Sequence, residues 1–87
     1  MRMTTWRREI AKILSDRGLA WGDLLACTLS DEEMDRPFDA GWGSIEGAAF
    51  TAWTAELVLF PVVYDGTEWV GSVPRNPCDE ATWHQGQ

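Results

Sequence analysis

Beyond Arg17 the chain is short of positive charge: Arg36 and Arg75 stand against twelve acids, a local charge of −10, whereas residues 1 to 17 hold five bases against two acids. The shortage argues against direct contact with nucleic acid or anionic membrane surfaces, and it favours a basic protein partner. No apolar run is long enough to span a membrane, and the opening MRMTTWRREI lacks the hydrophobic segment of a signal peptide. A cytoplasmic protein is expected. There are two cysteines, Cys27 and Cys78, without the paired spacing of a zinc ribbon, and one histidine, His84. Free thiols and no metal site are expected. No internal repeat or low-complexity segment interrupts the chain, and DAGWGSIEG lacks the Lys-Ser/Thr ending of a phosphate loop.

Tryptophan, by contrast, is abundant. With 87 residues the chain can bury only about 60 to 65% of its unfolded surface, which argues against a large substrate cleft. Six Trp, at roughly 150 to 250 Å² each, allow so short a chain to fill a core or to anchor an interface.

Trp6, Ile10, Ile13 and Leu14 share one helical face, with Thr4 or Thr5 as N-cap and Gly18 as the stop; Arg7, Arg8, Glu9, Lys12 and Asp16 make the wet side. The apolar run in LAWGDLLACTL suits either a buried strand or a short helix, and Asp23 after Gly22 tips the reading towards helix. In SDEEMDRPF, Ser30 and Glu33 form a capping box, and Pro37 limits that helix to about two turns. Asp31, Glu32, Glu33 and Asp35 then make an exposed negative knob. Trp42, among Gly41, Gly43 and Gly47, reads as a hinge plug or a contact tip.

From Phe50 the pattern is that of sheet, with Asp65-Gly66 as a two-residue hairpin turn setting Tyr64 opposite Thr67, Val62 opposite Trp69, Phe60 opposite Gly71 and Val58 opposite Val73. The first helix is expected on that face. The opposite face, with Leu57, Leu59, Val63 and Val70 beside Glu68 and Ser72, is left for the second helical segment or for another protein. Pro61 marks its strand as an edge or a bulge.

Chemistry is thinly indicated. Cys78 and His84 lie on a tail without a third group to orient the imidazole, and Glu46, Glu56 and Glu68 have no histidine companion. Arg75, between two prolines, suits either an anion clamp or an ion pair with Asp79. Rows of carboxylates can imitate phosphates and occupy a nucleic-acid-binding surface on another protein, with exposed Trp as anchors. The candidate contact residues are Asp31, Glu32, Glu33, Asp35, Trp42, Arg75, Asp79 and Glu80.

FTAWT followed by FPVVYDGTEWVGSVPRNP resembles small accessory proteins of bacteriophages and prophages, of the host-inhibitor kind that includes the anti-CRISPR proteins. The resemblance covers about the last half of the chain and contains no catalytic motif. It implies inhibition of a host complex and assigns no residue.

The expected architecture is one α+β domain: a helical part at about 4–38, a glycine-rich loop at 39–49, a three-stranded antiparallel sheet at about 50–73 and a tail at 74–87. The expected function is a non-catalytic acidic protein-binding module, without cofactor or metal, acting on a host nucleic-acid-handling complex. Two alternatives stand beside it. One is a small enzyme or ligand-binding subunit using Arg75, Cys78 and His84; the other is a homo-oligomeric structural protein that pairs through its sheet edge or spare sheet face.

Overall fold

The computed structural model describes residues 1–86; Gln87, the end of the expected tail, lies outside the described residues. Strand propensity is realised most fully where the sequence is richest in Val and aromatics. Strands β5 (Leu57–Tyr64) and β6 (Thr67–Pro74) pair antiparallel over their whole length, with Tyr64 opposite Thr67 and Val58 opposite Val73 as the turn requires. Asp65 and Gly66 both have positive φ, 49° and 80°, the geometry of a type I′ turn, whose twist matches the strands it joins.

Two further strands extend this sheet. Strand β4 (Ala52–Trp53) pairs with β5, and β2 (Ala26–Cys27) pairs with β4, giving the order β2-β4-β5-β6. A second sheet of two strands joins β1 (Met3–Thr4) to β3 (Phe38–Asp39). The α+β expectation of helices on a three-stranded sheet is thereby corrected. The chain is mostly β, with one helix of length, α1 (Trp6–Asp16), a 3-10 turn at Trp21–Asp23 and a single helical turn, α2 (Asp31–Met34).

The reasons are local. Asp23 does cap, accepting the Ala20 amide at 2.8 Å, but it caps only the 3-10 turn. Immediately afterwards the Leu25 and Thr28 amides donate to the carbonyls of Trp53 and Thr51, so the apolar run is drawn out as a strand. Ser30 and Glu33 form the capping box as expected, yet the chain leaves the helix at Asp35, ahead of Pro37. Thr5 is the N-cap of α1, its hydroxyl accepting the Arg8 amide at 3.1 Å; Thr4 belongs to β1 instead.

Packing corrects a second expectation. Helix α1 lies on the sheet face of Leu57, Leu59 and Val70, burying Trp6, Ile10 and Leu14 there with Leu29, Met34, Phe50 and Ala52. The face carrying Phe60, Val62 and Trp69 turns the other way. The Trp6 indole is the centre of the core, tilted against Phe38 at 4.7 Å and Phe50 at 4.9 Å between ring centroids. On the outer face Gly71 makes room for Phe60, because a Cβ there would stand 2.9 Å from the ring.

Candidate protein-binding surface

Pro61 shapes the most distinctive part of the surface. In a two-residue hairpin the closing pair, Tyr64 and Thr67, is hydrogen-bonded, and bonded pairs alternate from there. The Pro61–Val70 pair is therefore a non-bonded one, and the missing N–H faces away from β6. On that other side the Thr54 amide donates to the Leu57 carbonyl, which makes Ala52–Leu59 a bonded pair and would make Phe50–Pro61 the next. Proline has no hydrogen to give, so β4 ends at Ala52 and the chain before it diverges. Between the diverging residues 45–49 and the edge of β5, where Gly86 comes up against Val62 and the Val63 carbonyl, lies a groove of about 180 Å³, walled mainly by Ile45, Ala48, Ala49, Pro61, Val62 and Val63.

The loop on the far side of this groove is held at four points. Gly41 forms a β-bridge with Thr67, and Gly43 lies so close beneath the hairpin turn that a Cβ on Gly66 would overlap its backbone. The Glu68 carboxylate, 2% exposed, accepts the amides of Glu46 at 2.8 Å and Gly47 at 3.0 Å. The Trp6 indole donates to the Ala48 carbonyl at 2.9 Å. With its backbone so fixed, the loop presents Trp42 at 67% and Ile45 at 69% exposure, beside Tyr64 at 56% on the hairpin. Trp42 is thus not a plug.

The other candidate residues occupy separate places. Arg7 pairs with Asp35 and, at 3.1 Å, with Asp31, while its guanidinium lies 5.1 Å from the Trp21 ring centroid. These carboxylates hold the Arg7 pKa above its ordinary value, Asp35 contributing most. Glu33 is engaged in its capping box, where the Ser30 amide, and then its hydroxyl, lower the carboxyl pKa; Glu32 is exposed beside it. Glu80 accepts two hydrogen bonds from Arg17, at 2.9 and 3.0 Å, at the other end of α1. Arg7 and Arg17 are separated by about 15 Å of helix rise, so the two acidic groups do not form one surface.

Arg75 donates to the Thr54 carbonyl at 3.1 Å, and no ion pair joins it to Asp79 among the described residues. The Cys78 sulfur accepts the Glu80 amide at 3.4 Å, whereas His84 lies against the Trp83 ring at 5.1 Å. Cys27 and Cys78 are both free thiols. Among the described residues no cluster of three His, Cys, Asp or Glu side chains is placed to hold a metal ion, and no helix is long and apolar enough to cross a membrane.

Two buried carboxylates escaped the sequence reading. Glu9, assigned to the wet side of the helix, is 4% exposed and accepts from the Thr4 hydroxyl at 2.7 Å and the Arg2 guanidinium at 3.3 Å. Arg2 also donates to the Glu68 carbonyl, linking β1, α1 and β6. Helical spacing carried a faint sign of this, since Glu9 lies next to Ile10 at the border of the apolar stripe; Glu68 was placed on the correct face without its role. Comparison with protein families, curated proteins and solved structures yields no match to this chain.

Proposed function

We propose that the chain is a non-catalytic protein-binding module whose contact end is the hairpin turn with the loop beside it. The observation that carries this reading is the exposure of Trp42, Ile45 and Tyr64 on neighbouring, internally pinned segments. Large exposed side chains on a fixed backbone lose little entropy on binding and make effective anchors. The net charge of −7 selects a basic partner. Together with the resemblance of the C-terminal half to small phage accessory proteins, that favours an inhibitor of a host nucleic-acid-handling complex, bound through the partner's basic surface.

An affinity pull-down from nuclease-treated bacterial lysate, repeated at high salt and read by mass spectrometry, tests the proposal. A stoichiometric nucleic-acid-binding protein that washes off in salt and is lost with Trp42→Ala is the expected result. Recovery of the chain alone overturns it.

Self-association is the second reading, favoured by the outer sheet face, where Phe60 and Trp69 are partly exposed and carry no helix, although Val62 between them is buried with Gly86 against it. Sedimentation across a wide concentration range separates the two readings: a dimer that forms without any partner favours this one.

A further inference from the structure

The groove between residues 45–49 and the edge of β5 has the size of a single side chain. Its 180 Å³ falls below the roughly 300 to 1,000 Å³ of pockets that enclose small-molecule ligands. Its walls are apolar, and the one charged residue among them, Glu68, has both carboxylate oxygens engaged by loop amides. The carboxylate therefore braces the wall and is not offered to a ligand. Next to the lining residues in the chain the chemistry changes sign: Glu46, between Ile45 and Gly47, and Asp65, two residues past Val63, are exposed acids, and no base is among the lining residues.

We infer that this groove takes one aliphatic or aromatic side chain from a basic segment of a protein partner, with Lys or Arg residues of that segment pairing with Glu46 and Asp65. Trp42 and Tyr64 flank the bound segment. The inference rests on the protein-binding reading above and adds the chemistry the partner must present: an apolar anchor set among positive charges. Apolar burial supplies affinity here, while the neighbouring acids exclude segments with acidic flanks.

The test uses the intact, isotope-labelled chain and three short blocked peptides: Arg-Arg-Leu-Arg-Arg, Arg-Arg-Gly-Arg-Arg and Glu-Glu-Leu-Glu-Glu. The first is expected to shift the backbone amide resonances of Ile45, Ala48, Ala49 and Val63, and the other two to leave them in place. Ile45→Ser, at a position exposed enough to spare the fold and with no change of charge, is expected to weaken binding of the first peptide about tenfold or more. Equal shifts with the glycine peptide, shifts centred elsewhere, or none at all overturn the groove. Two further results separate the levels of the proposal. Capture of a lysate partner undiminished by Ile45→Ser overturns the groove alone, whereas absence of any partner for the wild-type chain overturns the binding reading beneath it.

Discussion

The indole nitrogen of Trp6 donates to the carbonyl oxygen of Ala48, so the most buried aromatic of the core is also the tether of the surface loop. Trp6→Phe keeps most of the apolar contact and removes the donor. It is expected to cost about 1–3 kcal/mol, because the Ala48 carbonyl loses its partner and a smaller ring leaves space. Urea unfolding measures the loss. Amide hydrogen exchange at Glu46 and Gly47 should rise by more than that of β5, since the loop loosens before the sheet does; uniform acceleration throughout would count against the tether.

Glu68 is expected to behave as a second tether of the same loop. Glu68→Gln keeps the volume but offers a single acceptor oxygen to two amides, so one of them faces an N–H group. A loss of about 1–3 kcal/mol is expected, with faster exchange at Glu46 and Gly47 and weaker binding of the arginine-flanked leucine peptide. Ordinary stability with unchanged exchange would show that the carboxylate is idle.

Asp39 should make the junction of β1 and β3 sensitive to acid. Its carboxylate accepts the amides of Arg2 at 2.8 Å and Gly41 at 3.0 Å, and these bonds, the Arg2 amide first, lower its pKa. A carboxyl depressed in the folded state adds stability that is fully present above its unfolded pKa of about 4 and is lost as pH falls through the folded value. Carbon-detected titration of the side chain is expected to give a midpoint below the ordinary aspartate range. Asp39→Asn should remove that part of the acid dependence, and an unaltered acid unfolding curve would refute the assignment.

Gly66→Ala combines two penalties. The residue sits at φ 80°, where L side chains are strained, and its Cβ would meet the backbone of Gly43. A destabilisation above about 1 kcal/mol is expected. Thermal unfolding reads the loss, and the Trp42 indole resonance should move as the loop is pushed off the turn. Gly18 also has positive φ but no atom within 4 Å of a Cβ, so Gly18→Ala should leave Trp42 unmoved.

Legibility in the sequence followed the range of the forces involved. The register of β5 and β6 and the Ser30–Glu33 capping box depend on local chemistry and could be read directly, and the cap of α1 could be narrowed to Thr4 or Thr5. Strand β2 could not: Leu24 to Cys27 is apolar under either assignment, and only the distant carbonyls of Thr51 and Trp53 make it a strand. The face covered by α1 was misassigned because both faces of the hairpin are apolar. The covered face is marked by buried Glu68, bonded to loop amides 21 and 22 residues before it, and by Arg2, which joins Glu9 to the Glu68 carbonyl 66 residues away. Among the candidate site residues, Trp42 read as either plug or tip, because glycines on both sides do not say where the ring points, and the intramolecular partners of Asp31, Asp35 and Glu80 could not be read at all.

The engagement of Arg2 has a consequence for behaviour at high concentration. Strand β6 is the long outer strand of the sheet, and such strands invite pairing with other chains, domain swapping and fibril growth. Near its start the Glu68 amide is occupied by the Ala40 carbonyl, and the Glu68 carbonyl by the Arg2 guanidinium. At its end Pro74 has no hydrogen to donate. What remains open is the short stretch around Val70 and Ser72, so Arg2 shortens the pairing edge of a strand far along the sequence.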